Sequence, residues 1–254
     1  MRIRRVTHVV VLTALIGPLL AGCGGPQRLT QREFFSRIVA AEAKAGSSQI
    51  AMTITSPGGQ SIRSRGQMTI GTKAADTAMA MTTVGQQDSL GAVEVRLVDR
   101  AFYVRIGALT GKKYAKIDLT DAKNPIAQRY GGLIENLDPG RQLRQYQTAV
   151  TKFDNGGKTV KIDGVETVPY KFTIDPSKVP SVAGKTKTAA KSINYTMYVA
   201  SDNLPRRMVS TGPDEVAGAM QLRNDYSHWG EPVVIKAPAA SQIETGGLLS
   251  ALSR

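Results

Sequence analysis

The sequence predicts an α+β chain built on a single antiparallel sheet, and three observations lead there. Apolar residues alternate with polar or small ones at a period of two through many short segments, the mark of half-buried strands. Turn signals such as Ser56-Pro57-Gly58-Gly59, Asp163-Gly164 and Asp202-Asn203 join these segments, too tightly for the crossovers that parallel strands require. Helical spacing occurs only at the start and in the middle, and no internal repeat or interior linker divides the chain into two domains.

The elements follow in order. Thr30 and Glu33 form a capping-box pattern ahead of Phe34, Phe35, Ile38, Val39 and Ala41, which places a first helix up to about Lys44 with a stop at Gly46. Ile50, Met52 and Ile54 open the strand region, followed by Arg63 to Ile70 and Thr77 to Val84. Val93, Val95 and Leu97 share one face with Glu94 and Arg96 on the other, and Asp99-Arg100 turns into Phe102, Val104 and Ile106. Tyr114 to Ile117 is a short strand.

In the middle the period changes. Asn124-Pro125 opens a helical stretch carrying Tyr130, Leu133, Ile134 and Leu137, and Asp138-Pro139 opens a second with Leu143, Tyr146 and Val150. Strands then resume at Val160 and Ile162, at Tyr170, Phe172 and Ile174, and at Ile193, Tyr195, Met197 and Val199. Leu204 to Ser210 and Val216 to Tyr226, with Met220 and Leu222 on one face, complete the set.

The N-terminus carries a different message. Met1-Arg2-Ile3-Arg4-Arg5 precedes an apolar run from Val9 to Leu20, too short to span a bilayer and interrupted by Gly17-Pro18. A basic start, a short apolar stretch and small residues make a secretory signal peptide. The one cysteine of the 254 residues, Cys23, follows Leu20-Ala21-Gly22, the pattern of a bacterial lipobox. That resemblance implies cleavage between Gly22 and Cys23 and a diacylglyceryl thioether on Cys23. A plain secretory signal with a chance cysteine would leave an unprotected reactive thiol in an exported protein. The Arg4-Arg5 pair lacks the flanking residues of a twin-arginine signal, so the general secretory route is expected. The expected division is a signal peptide over 1–22, a lipidated tether over 23–29, one domain over 30–240 and a loosely ordered tail over 241–254.

Charge and residue counts narrow the function. The chain has 33 Lys plus Arg against 20 Asp plus Glu; loss of Arg2, Arg4 and Arg5 with the signal leaves 30 against 20. A low aromatic content argues against a base-stacking nucleic-acid platform, and an extracytoplasmic basic surface suits anionic lipid headgroups. Past the signal there is one histidine, His228, and no thiol besides Cys23. Nothing has the spacing of a zinc or calcium site, and no Gly-Gly pair leads into the Gly-Lys-Ser/Thr of a phosphate loop. The expectation is a non-enzyme without metal or cofactor. Met52, Met68, Met79, Met81, Met197, Met208 and Met220 all fall in expected strands; methionine suits either ordinary core filling or a surface that repacks around varied apolar ligands.

Two C-terminal segments carry a family likeness: Asp202-Asn203-Leu204-Pro205-Arg206-Arg207, and Tyr226-Ser227-His228-Trp229-Gly230-Glu231-Pro232-Val233. With Phe102-Tyr103-Val104 and the stretch from Ile162 through Phe172, they make residues 30 to 240 resemble the actinobacterial LppX/LprG lipoproteins, whose shape is related to the LolA/LolB carriers. The resemblance implies one strongly curved antiparallel sheet, a half-barrel, with helices on its concave face and an apolar cavity that accepts acyl chains. Candidate lining residues from the sheet are Met52, Ile54, Val93, Val95, Phe102, Val104, Phe172, Tyr195 and Met197. Those from the helices are Tyr130, Leu133, Ile134 and Tyr146.

The functional expectation is a monomeric lipoprotein, held to the outer face of the cell membrane by lipid on Cys23, that binds lipid or glycolipid and carries or presents it in the cell envelope. The alternative is an envelope protein-interaction or sensor module with a packed cavity. A surface hydrolase would need converging carboxylates.

Overall fold

The computed structural model describes residues 27–71, 76–84, 91–121, 123, 139–179, 191–212 and 220–244. The expected signal segment, Cys23, the helical stretch holding Tyr130, Leu133 and Ile134, the Lys185-Lys187 loop and the chain from 245 onward lie outside the described residues.

The first helix, α1 (Gln31–Ala45), forms where the capping box places it. The Glu33 carboxylate accepts from the Thr30 backbone N–H at 3.0 Å, and the Thr30 hydroxyl accepts from the Glu33 N–H at 3.4 Å. Gly46 ends the helix in the left-handed conformation, φ 73°, where its N–H reaches the Glu42 carbonyl. Phe34, Phe35, Ile38 and Glu42 form its buried stripe.

The chain then meanders through β1 (Ser47–Thr55), β2 (Ser61–Thr69), β3 (Ala78–Val84), β4 (Val93–Val98), β5 (Ala101–Ile106) and β6 (Tyr114–Asp118), with the short helix α2 (Gly107–Thr110) before β6. Helix α3 (Pro139–Ala149) leads into β7 (Val150–Asp154), β8 (Val160–Ile162), β9 (Val165–Ile174), β10 (Ile193–Ala200), β11 (Pro205–Thr211) and β12 (Gln221–Ser227), and β13 (Ile243–Glu244) closes the described chain. The hairpin turns are those the sequence marks: Asp99 and Arg100 both take positive φ between β4 and β5, as do Asp163 and Gly164 between β8 and β9.

All the described strands join one sheet in the order β13-β6-β5-β4-β3-β2-β1-β12-β11-β10-β9-β7, with β8 on β9. The last long strand, β12, pairs with the first, β1, so the two meanders fuse into a continuous sheet. The sheet stays unclosed, ending at β13 on one side and at β7 and β8 on the other.

Helices α1 and α3 cover one face of one half. Phe34, Phe35 and Ile38 of α1 and Leu143, Tyr146 and Ala149 of α3 form a buried cluster with Val168, Tyr170, Phe172 and Ile174 of β9, with Tyr195, Met197 and Val199 of β10 and with Met208 of β11. Aromatic rings dominate it: Phe34 lies 5.0 Å from Phe35, 4.8 Å from Tyr170 and 5.6 Å from Phe172, centroid to centroid.

Several expectations are corrected. The sheet is not wholly antiparallel, because β13 runs parallel to β6. Val150, expected in the second helix, begins β7: Ala149 is the last helical residue, and from Val150 the backbone pairs with β9 instead. Met220 lies outside a strand and is exposed. Leu29, expected in a tether, is buried in the core and held by a hydrogen bond from its N–H to the Tyr170 hydroxyl at 2.9 Å. At the start of the expected tail, the described residues Ala240–Gln242 form a 3-10 turn ahead of β13.

Candidate functional site

In an antiparallel sheet, directly paired residues point to the same side. One row runs Met197, Met208, Asn224, Met52, Ser64, Thr83, Val93, Ile106 across eight strands. A second runs Tyr226, Ile50, Gly66, Met81, Val95, Val104, Ala115. A third links Ser48, Met68, Met79, Leu97, Phe102 and Ile117. Tyr195 pairs with Phe172 and with Ser210, Ser210 with Leu222, and Leu222 with Ile54. All nine sheet residues expected to line a cavity therefore lie on one face, the face that α1 and α3 occupy. So do the strand methionines Met68, Met79, Met81 and Met208.

That face has two characters. Under the helices, Phe172 and Met197 are each 2% exposed and Tyr195 is 7% exposed, so these expected lining residues, with Tyr146 of α3, are packed core. Across β1 to β5, Met52, Ile54, Val93, Val95, Phe102 and Val104 are only half-buried, as are Ile50, Met81 and Ile106. Burial on this open half is graded along the strands. The row of Met68, Met79 and Leu97 is buried, and Trp229 packs against it. Trp229 is fixed there by its ring N–H, which donates to the Pro205 carbonyl at 2.9 Å, and by stacking on Tyr226 at 5.8 Å. Toward the other end of the strands, marked by the Ser56-Pro57-Gly58-Gly59 turn, the apolar residues emerge: Ile62 is 40% exposed, and Leu109 and Met220 more so.

Gly66 sits mid-strand in the second row. A Cβ there would lie 2.0 Å from the Ala80 carbonyl oxygen and 2.8 Å from the Met81 Cα, so β2 and β3 approach more closely than any side chain permits.

The opposite face is charged. Asp225 accepts from Arg207 at 2.5 Å and from Arg223 at 2.7 Å, and Arg63 and Arg65 stand on β2, across β1 from them. Glu94 bonds Arg105 and accepts from the Tyr114 hydroxyl at 2.5 Å, while the Arg96 and Arg105 guanidinium groups lie 5.2 and 5.3 Å from the Tyr114 ring centre. A depression of about 360 Å³ beside them is lined by Gln67, Ala80, Thr82, Glu94, Arg96 and the crossing segment Val234 to Lys236, together with Met81 and Val95 of the second row. Its side-chain character is set mainly by Gln67, Thr82, Glu94, Arg96 and Lys236.

Chemistry-bearing clusters are sparse. Among the described residues no group of three or more His, Cys, Asp or Glu is placed to hold a metal ion, and no helix is long and apolar enough to cross a membrane. His228 is exposed just past β12, with φ 53° and its ring against the Ser227 hydroxyl at 3.0 Å. Sequence reasoning missed the buried polar residues of the apolar face, Ser48, Ser64 and Asn224, and Glu42 of α1. The alternation pattern marks which side a residue faces and does not mark whether a polar residue on that side will be covered.

No protein-family model matches the chain, and no curated relative matches its sequence. Among solved structures it is similar to the lipoprotein LppX of Mycobacterium tuberculosis, with 17% identity over 82% of this chain and 100% of that one and a TM-score of 0.53. It is also similar to LprF of Mycobacterium bovis, with 18% identity over 85% of this chain and 100% of that one and a TM-score of 0.50. A LolA-superfamily protein of Nitrosomonas europaea superposes at a TM-score of only 0.32, too low to read a shared fold from it. The long unclosed sheet described here is the fold of the mycobacterial lipoproteins LppX and LprF.

Proposed function

We propose that this chain is a cell-envelope lipoprotein, anchored through a lipid on Cys23, that holds the acyl chains of a lipid or glycolipid against the open half of its apolar face and carries or presents them. In this reading the helix-bearing face is the concave side of a half-barrel. The close approach at Gly66 and the bulge between Tyr198 and Val199 support such bending, since both devices let a sheet coil.

The observation that carries the reading is the half-exposure of Met52, Ile54, Val93, Val95 and Val104 on a face whose other half is sealed. A sheet face evolved only for packing would be covered throughout, because each exposed apolar position forgoes its burial energy. Closure at Trp229 and exposure at Ile62 give the site a floor and a mouth. Ten methylenes buried there would contribute about 8 kcal/mol, which alone corresponds to roughly micromolar affinity. Few polar contacts are then needed to retain a long chain.

Residues 1–22 serve as the address and Cys23 to Arg28 as the tether, which spans roughly 20 Å and keeps the domain near the outer face of the membrane. Two acyl chains on Cys23 suffice for stable anchoring. The charged opposite face, with Arg63, Arg65, Arg207 and Arg223, is left to meet anionic headgroups or an envelope partner.

The test is mass spectrometry of organic extracts from the purified full chain, with uptake of a fluorescent acyl probe as the second readout. Stoichiometric lipid and saturable uptake are expected. Empty extracts combined with no uptake would leave the packed, protein-binding alternative in place.

A further inference from the structure

The apolar face has one polar residue at the seam between its sealed and its open half. Asn224 stands on β12 directly between Met208 of β11 and Met52 of β1. It is 8% exposed, and its side-chain oxygen has no hydrogen-bond partner. Tyr226 stands two residues along on the same face, where burial, with Glu42 nearby, holds its phenol well above its ordinary pKa. The Asn224 side-chain oxygen is thus a buried acceptor left over.

Buried acceptors are rarely left in this state, because they have given up water and gained nothing in exchange. Ser48 and Thr77 also hold unpaired buried oxygens, but at the sealed end of the strands near Trp229. Asn224 differs in bordering Met52, which is half-exposed. Methionine side chains turn about three bonds, so Met52 and Met208 can swing to uncover the oxygen without moving the backbone.

We infer that the Asn224 side-chain oxygen is the polar anchor of the lipid site, accepting a hydrogen bond from a hydroxyl or amide N–H that the bound lipid carries next to its acyl chain. The inference rests on the lipid-binding reading above and sharpens it. The ligand class is a lipid with a donor close to the hydrocarbon, such as a partly acylated glycerol or an acyl amide. Fully esterified lipids cannot satisfy the oxygen and leave the cost of its burial in the complex.

The experiment uses the delipidated full chain and displacement of a fluorescent acyl probe by 1-monopalmitoylglycerol, palmitamide and methyl palmitate. The wild type is expected to favour at least one donor-bearing lipid over methyl palmitate by about ten-fold or more. Asn224→Leu should shrink that preference to within about two-fold while methyl palmitate binds as before. Preference for the glycerol ester alone assigns a hydroxyl, and preference for the amide alone assigns an N–H. Equal binding of all three lipids by the wild type, or a preference that survives in Asn224→Leu, overturns the anchor and leaves lipid binding intact. Failure of all three to displace or replace the probe overturns the lipid-binding reading itself. If Asn224→Leu does not fold, the side-chain amide NMR resonance of Asn224 in the wild type decides: it should shift with the donor-bearing lipid and not with methyl palmitate, and equal shifts overturn the proposal.

Discussion

Phe172 and Tyr195 stack nearly parallel, with ring centroids 5.1 Å apart and planes 7° from each other, as direct partners on β9 and β10. The Tyr195 hydroxyl donates to that of Tyr146 at 3.0 Å, so one stack ties the sheet to α3. Burial pushes both phenols upward in pKa, which keeps them neutral and hydrogen-bonded at any physiological pH. These rings belong to the sealed half of the face and hold the fold together. Phe172→Ala should cost about 3–5 kcal/mol in urea unfolding, by lost transfer energy plus a cavity. Its lipid content should not fall; a stable variant that had lost its lipid would refute the division into sealed and open halves.

The open half should behave in the reverse way. Met52→Glu or Val95→Glu places a charge among apolar neighbours that a bound chain would desolvate, while the half-exposed position spares the empty protein most of that penalty. Acyl-probe affinity should drop about ten-fold or more, with an unfolding change of only about 1 kcal/mol. Unaltered uptake by both variants would place the ligand elsewhere.

Cys23→Ser removes the only thiol in the chain. The mature protein should lose the mass of the diacylglyceryl group and move from the membrane to the soluble fraction on cell fractionation, since no other acyl anchor is available. Persistence in the membrane fraction at the same mass would count against lipidation of this residue.

The charged face predicts an acid response. Burial raises the Glu94 pKa, but hydrogen bonds from Tyr114 and Arg105 outweigh it and hold the carboxyl below its ordinary 4.5. A carboxyl that is more acidic folded than unfolded stabilises the fold above about pH 4.5, and that stabilisation is lost as the pH falls through the lowered folded value. Glu94→Gln should therefore be less stable than wild type by about 1–2 kcal/mol at pH 7, with the gap narrowing when the pH is taken down to 3. Urea midpoints at the two pH values measure it, and a gap that widens on acidification contradicts the assignment.

Local signals carried most of the architecture. The Thr30 and Glu33 cap, the Asp99-Arg100 and Asp163-Gly164 turns and the alternation along β1, β4 and β9 each depend on contacts within a few residues, and each appears where the sequence places it. The failures sit where distant chain intervenes. Val150 reads as the end of an amphipathic helix, yet its backbone is claimed by Ile174, 24 positions away. Leu29 reads as tether until Tyr170 offers it a hydroxyl and a core to enter. Ile243 and Glu244 carry no strand pattern of their own and become ordered by pairing with Tyr114 and Ala115.

The sequence alone determined the class of fold, the lone Cys23 and the residues that share a sheet face, because side-chain alternation and short turns are local properties. It assigned Phe172, Tyr195 and Met197 to the same cavity as Met52, Val93 and Val95, since all of them alternate alike. Only the tertiary structure separated them. Burial is decided by what lies on top of a strand, and among the described residues α1 and α3 cover β9, β10 and β11 while residues of β1 to β5 stay half-buried. The Asn224 oxygen is buried at that boundary, a position that reads as ordinary polar sequence until the sheet sets it between Met208 and Met52.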